Sequence, residues 1–236
     1  MSLFDRANAF CERFGLRIPI LQAPMAGACP PSLSIAVANA GGMGGCGALT
    51  MTPEQISRWA DEVRAGTNGG FQINLWIPDP PPKREPEQEA KLRAFLAQWG
   101  PDVPADAADA PLIDFAAQCR ALLDASPAVI SSIMGLYPPE FVAEMKGRRI
   151  AWFATATTVA EACAAGVAGA EVIVAQGMEA GGHRGAFDAA DAERRLVGLF
   201  SLLPAIVDAV KVPVVATGGI ADARGIAAAF ALGARA

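Results

Sequence analysis

One segment of this chain gathers the groups that chemistry needs: Ala175-Gln176-Gly177-Met178-Glu179-Ala180-Gly181-Gly182-His183-Arg184-Gly185. It holds the single histidine among 236 residues, surrounds it with glycine, and follows directly on the buried-strand pattern Glu171-Val172-Ile173-Val174. Imidazole changes charge near neutral pH, so His183 can take a proton or donate a hydrogen bond to an anion. Glycine is entropically expensive to order. A strand that ends in glycine-rich backbone marks a place where a phosphate or a ring system can approach closely. His183 is the candidate catalytic residue, and Glu179 and Arg184 are expected to hold its loop by charge pairing.

Other strand ends carry the same signature. Thr217-Gly218-Gly219 follows Val212-Pro213-Val214-Val215-Ala216, and Pro24-Met25-Ala26-Gly27 closes the first apolar run. Asn74 and Gln176 are amides inside otherwise apolar strands. A buried amide left without partners costs about 1–3 kcal/mol, so each must meet neighbouring backbone or a ligand with alternating donors and acceptors. Asp222 caps the last helix, and Asn39-Ala40-Gly41-Gly42 reads as a helix end with a left-handed glycine. Met43-Gly44-Gly45-Cys46-Gly47 can line a pocket, but Cys46 has no activating neighbour in sequence and is expected to be inert. Trp76, Trp99, Trp152 and Phe153 are assigned core or lid roles.

The elements that must position these groups alternate along the whole chain. Strands are expected at Ile18–Ala23, Gly42–Leu49, Phe71–Ile77, Ala128–Ile133, Arg149–Phe153, Glu171–Ala175 and Pro213–Thr217. Helices are expected near 31–40, 53–65, 111–125, 138–146, 158–165, 196–209 and 222–232. Thr52-Pro53-Glu54 supplies a capping hydroxyl with proline at the first helical position, and Thr157-Thr158-Val159-Ala160-Glu161 a similar cap. Strands apolar without strict alternation suit a sheet covered on both faces, and repeated strand–helix units predict parallel strands. Seven such units fit an α/β TIM-type (β/α)8 barrel, whose sites lie at the carboxyl ends of its strands; a doubly wound open sheet is the alternative. The chain reads as a single, incomplete barrel domain over 1–236, because Gly233-Ala234-Arg235-Ala236 stops where an eighth strand should begin. The proline- and charge-rich stretch from Pro78 to Pro111 is expected to be an excursion over the strand ends, with one helix near 86–98.

Composition excludes several classes. At 53% hydrophobic and 18% charged residues the chain can bury a large core. A net charge of −5 with scattered Lys and Arg gives no nucleic-acid face. No apolar run is long enough to span a membrane. The five cysteines are far apart, without a Cys-x-x-Cys pair, and one histidine cannot build a His-rich metal site. Reduced thiols and the lack of a secretory pattern at Met1–Arg6 point to a cytoplasmic protein. A homo-oligomer is left open.

Five segments taken together resemble the nitronate monooxygenase family, formerly called 2-nitropropane dioxygenases. They are Pro19-Ile20-Leu21-Gln22-Ala23-Pro24-Met25-Ala26-Gly27, Ala38-Asn39-Ala40-Gly41-Gly42-Met43-Gly44, Gln72-Ile73-Asn74-Leu75, the Ala175–Gly185 run, and Val214-Val215-Ala216-Thr217-Gly218-Gly219-Ile220-Ala221-Asp222. They stand in the family's order over nearly the whole chain. The resemblance implies a barrel that binds FMN and oxidises alkyl nitronates with O₂ to a carbonyl compound and nitrite. On that basis Ala23, Pro24 and Met25 lie against the flavin ring, and Asn74 and Gln176 meet its polar edge. Gly181, Gly182, Gly218 and Gly219 take the phosphate, and His183 contacts the nitronate. After Leu-Gly-Ala the family continues with Asp-Gly-Val-Gln and a Gly-Thr turn; here the match breaks at Arg235. A flavin-dependent enoyl-thioester reductase using NAD(P)H, with a related Gly-Gly-His loop, is the alternative activity. An inactive truncated homologue is the alternative outside enzymes.

Overall fold

The computed structural model describes residues 3–80, 83–109 and 113–236. Six parallel strands, β1 (Gly44–Gly47), β2 (Phe71–Trp76), β3 (Val129–Ile133), β4 (Ala151–Ala156), β5 (Val172–Gln176) and β6 (Val214–Thr217), lie in sequence order in one sheet. Helices α3 (Pro53–Gly66), α5 (Phe115–Ala125), α6 (Pro139–Gly147), α7 (Val159–Ala168) and α8 (Leu199–Ala209) make the crossovers. They follow α1 (Leu3–Phe14) and α2 (Pro31–Asn39); α4 (Pro86–Leu96) lies in the excursion and α9 (Ala223–Ala231) ends the series. This is the α/β barrel architecture, curled but with one side open.

The helix boundaries follow from their caps. Thr52 Oγ1 accepts from Gln55 N–H at 3.3 Å while Gln55 Oε1 accepts from Thr52 N–H at 2.8 Å, so both ends of the capping box form before α3. Thr158 and Glu161 repeat the arrangement at α7. Asp222 Oδ1 accepts from the N–H groups of Arg224 and Gly225, the cap expected for α9. The helix expected near 111–125 begins at Phe115 behind an Asp114 cap, and its first two residues lie outside the described residues, as do Pro81, Pro82 and Pro111 of the excursion.

Period-two alternation splits the sheet into two sides. Ile73, Leu75, Ile130, Trp152, Ala154, Ile173 and Val214 face the helices and pack with Ile56, Val63, Leu122, Leu203 and Ile206. Val129, Phe153, Val172 and Val215 face inward and meet α1, which plugs the amino-terminal end. Phe14 stands edge-on to Phe153 with centroids 5.0 Å apart, and Phe10 is 6.2 Å from the same ring. Burying a phenylalanine this fully stabilises by about 1.5–3 kcal/mol. Towards the carboxyl ends the inward positions turn polar: Asn74, Ser131, Thr155, Gln176 and Thr217.

Two expectations change. Ile18–Ala23 is not a ladder strand; one isolated bridge ties its Leu21 to Met43, just before β1, and a second ties Ala26, just beyond it, to Gly47. Pro19 and Pro24 lack N–H groups and Ile20 N–H turns back to Ile18 O at 2.9 Å, so few donors remain for a ladder. The strand expected at Arg149–Phe153 runs instead from Ala151 to Ala156. Arg149 takes the left-handed conformation at φ 58° as α6 unwinds, which delays extension by two residues. At the other end, Arg235 N–H donates to Val214 O at 2.8 Å and Ala216 N–H to Ala236 O at 2.9 Å. The last residues therefore already lie along the outer edge of β6, at the eighth strand's position.

Candidate active site at the carboxyl ends of the strands

The strands deliver the candidate residues to one rim. Ala23, Pro24 and Met25 form a turn tied down by Cys29, whose Sγ accepts from Met25 N–H at 3.3 Å and donates to Ala23 O at 3.6 Å. This turn presses against β1: a Cβ at Gly47 would stand 2.8 Å from Ala26 N, so only glycine permits the approach. Gly47 in turn pairs with Asn74. Asn74 is buried and donates through Nδ2 to Ser131 Oγ at 3.1 Å. Beneath this rim Gln72 Nε2 donates to Gln22 O at 3.0 Å, while Gln22 Oε1 accepts from Ser34 Oγ and Gly45 N–H. Among the described residues Gln22 Nε2, buried, finds no partner.

Gln176 ends β5 and binds the histidine loop. Its Nε2 donates to His183 O at 3.0 Å and its Oε1 accepts from Gly185 N–H at 2.7 Å. Of the two fates open to this amide, neighbouring backbone takes both of its ends. Arg184 adds donations to Gln176 O at 2.9 Å, Arg195 O at 3.1 Å and Thr157 O at 3.3 Å. Burial makes its guanidinium easier to deprotonate, against the opposing pull of Glu161 and Glu179. Glu179 accepts from Leu199 N–H at the start of α8, at 2.9 Å through Oε2. The loop is thus held by side chain–backbone hydrogen bonds; the direct charge pairing expected of Glu179 and Arg184 is not what holds it. The reason is local: carbonyls at the ends of β4 and β5 lie within reach of Arg184, the first N–H of α8 lies within reach of Glu179, and each needs a partner.

Gly218 (φ 120°) and Gly219 (φ 67°) adopt backbone that favours glycine, and their missing side chains admit the Gly177–Ala180 turn. A Cβ at Gly218 would be 3.0 Å from Ala180 N. Gln176 pairs with Thr217, and Gly177 N–H donates to Thr217 O at 3.0 Å, so the two glycine-rich loops lie side by side. Around Gly181 and Gly182 a Cβ would meet nothing within 4 Å. Among the described residues no acceptor takes the N–H groups of Gly181, Gly182, Gly218 or Gly219. The first N–H groups of α9 are by contrast already used by Asp222.

His183 is exposed and stands 4.6 Å from Trp76, centroid to centroid, with the rings at 65°. Sequence reasoning gave Trp76 only a core or lid role. The signal was there: Gln72, Asn74 and Trp76 share one face of β2 by period two. Sequence reasoning reads Glu161 only as the acid of the α7 cap, which it is, and misses its tie to the segment after the histidine loop. Its buried carboxylate accepts from Thr157 N–H and Oγ1–H, from Thr158 N–H, and from Phe187 N–H just beyond the histidine loop. Trp152 and Phe153 are core residues, whereas Trp99 is exposed near α4. Cys46 is buried, and burial beside Cys29 pushes its thiol far up, which keeps it protonated and inert. Among the described residues no cluster of metal-ligating side chains forms, and no helix is long and apolar enough to cross a membrane.

The class is that of parallel α/β barrels, whose sites lie at the carboxyl rim, and here that rim gathers glycine-rich backbone, buried amides and one imidazole. A sequence model described as nitronate monooxygenase matches residues 8–236. A nitronate monooxygenase of Paraburkholderia phytofirmans is 39% identical over 235 residues, covering 97% of this chain and 64% of the relative. A solved nitroalkane oxidase from Streptomyces ansochromogenes superposes with a TM-score of 0.83 at 36% identity, over 97% of this chain and 66% of the other. FabK from Thermotoga maritima gives 0.71 at 28%, over 97% and 59%. The chain belongs to the nitronate monooxygenase family. It spans about 64% of the length of the P. phytofirmans relative.

Proposed function

We propose that this chain is the catalytic barrel of an FMN-dependent nitronate monooxygenase, a single domain over 1–236 that oxidises alkyl nitronates with O₂. The observation that carries the reading is the rim itself, where Gln176 fixes the loop bearing the lone histidine beside two glycine turns with free N–H groups.

The residues present fit the group. Among the described residues the N–H groups of Gly181, Gly182, Gly218 and Gly219 find no acceptor, and with open space at the first two they suit a phosphate. Asn74, at the end of β2, offers an amide to the ring's polar edge. The Ala23-Pro24-Met25 turn offers an apolar, half-open floor. Gln176 acts by holding the loop rather than by giving up its bonds to a ligand. When bound, FMN supplies the electron acceptance that oxidation of a nitronate by O₂ requires.

The chain's own contribution is orientation. A nitronate is already deprotonated, so His183 has no carbon-bound proton to remove; its imidazole N–H donates to a nitronate oxygen and fixes the anion. Met25, half exposed at the rim, offers apolar surface to the alkyl part. Five free thiols accord with a cytoplasmic setting. The test is nitrite release from an alkyl nitronate by the FMN-loaded chain. Activity that persists undiminished in His183→Ala refutes the assigned role, and reduction driven by NAD(P)H instead of nitronate refutes the reaction.

A further inference from the structure

We propose that Trp76 is the positioning residue for His183, an inference that rests on the reading of His183 as the nitronate contact. The bonds that hold the loop all act on backbone: Gln176 takes His183 O and Gly185 N–H, and Arg184 takes Gln176 O. None of them touches the imidazole. The residues before it cannot wedge it either, since Gly181 and Gly182 have empty space where a Cβ would be, and Gly182 sits at φ 77°. An exposed side chain on such a loop is free to change rotamer unless a neighbour stops it. The neighbour is Trp76, with ring centroids 4.6 Å apart.

Trp76 is well placed to do this. It is the last residue of β2, paired with Ile133 of β3, and Ile77 N–H donates to Ile133 O at 3.0 Å just beyond it. Two strands, β3 and β4, separate β2 from β5 in the sheet. The indole therefore reaches across the mouth to the loop that follows β5, a span suited to the largest side chain. An edge-on aromatic pair of this kind favours one arrangement by roughly two- to twelve-fold in population. The rigid strand thereby sets the angle of a ring whose own loop does not.

The lone histidine makes the test direct, because its Cε1–H and Cδ2–H give one pair of imidazole signals in a ¹H–¹³C spectrum of the full chain. In the wild type these signals lie displaced from random-coil positions by the indole ring current. Trp76→Leu returns them to random-coil positions, and Trp76→Phe, which serves as the folding control, returns them part of the way. Wild-type signals at random-coil positions, or signals unmoved by Trp76→Leu, overturn the proposal. With FMN and nitronate, Trp76→Leu lowers kcat by roughly the same two- to twelve-fold with little change in KM, and Phe restores part of it. A Trp76→Leu variant whose imidazole signals move to random-coil positions while kcat stays at the wild-type value also overturns it. If His183→Ala leaves turnover intact while the ring-current shift is present, the nitronate-contact reading has failed, not the packing of His183 on Trp76.

Discussion

Replacing Glu161 probes how the histidine loop is anchored to the barrel. Its carboxylate accepts four hydrogen bonds: from Thr157 N–H at 2.7 Å, Thr157 Oγ1–H at 2.8 Å, Thr158 N–H at 3.2 Å and Phe187 N–H at 3.0 Å. The first three close the turn between β4 and α7, and the fourth ties down the segment leaving the loop. Glu161→Ala strips acceptors from all four donors, of which Thr157 is fully buried. Each buried donor left unpaired costs about 1–3 kcal/mol, but water relieves those nearer the surface, so the loss expected is about 3–5 kcal/mol. For a chain of this size that lowers Tm by roughly 6–20 °C. Glu161→Gln keeps one oxygen for the three turn donors and turns an N–H₂ towards Phe187 N–H, so it loses about 1–3 kcal/mol and loosens the loop selectively. Thermal unfolding by circular dichroism gives the stabilities, and hydrogen exchange at Phe187 reports the loop. An alanine variant as stable as wild type, or a Phe187 amide that exchanges no faster in the glutamine variant, refutes this account of the anchor.

Gly47→Ala places a Cβ 2.8 Å from Ala26 N and 3.2 Å from Met25 C, both backbone atoms, so the Pro24 segment must move; FMN affinity is expected to fall at least tenfold, measured by fluorescence titration, while a wild-type Kd would contradict the close approach. Four of the five cysteines are buried, and burial holds Cys119 up at about 12 and Cys46 higher still, so in the native chain only Cys163 reacts quickly with a thiol reagent; more than one fast thiol would contradict the packing. The Arg224 guanidinium, with Gly225 N–H, holds the Asp222 carboxyl below the usual aspartate range. A depressed carboxyl stabilises the fold above its unfolded-state pKa, and that contribution disappears as pH falls through the lower, folded value. Asp222→Asn keeps the cap acceptor without the charge. It should therefore be slightly less stable than wild type at pH 7 and equal to it under acid; a difference independent of pH would refute the assignment.

The alternating architecture is legible in the sequence where caps and apolar runs mark an element locally. Thr52-Pro53, Thr158 and Asp222 announce three helices by cap chemistry alone, and Val172–Gln176 and Val214–Thr217 stand out as β-branched runs ending in glycine. What stays hidden is contingent on partners distant in sequence. Ile18–Ala23 has strand composition, yet its prolines leave too few donors for a ladder. The α1 helix escapes sequence reading although Ala7, Phe10, Cys11 and Phe14 recur at helical spacing, because its apolar face makes sense only against Phe153, far along the chain. The same holds at the rim. Glycine pairs and the lone histidine stand out by type, whereas Trp76 and Glu161 look ordinary until folding brings them to residues 107 and 26 positions away.

The central claim is that this rim takes a flavin and presents a nitronate to it. The direct measurement is the visible spectrum of the purified chain titrated with FMN, then with an alkyl nitronate under nitrogen, and separately with NADPH. Bound-flavin bands that bleach with nitronate and not with NADPH, with nitrite appearing once air is admitted, are the result expected. A chain that leaves the FMN spectrum unchanged, or bound flavin that bleaches only with NADPH, contradicts it.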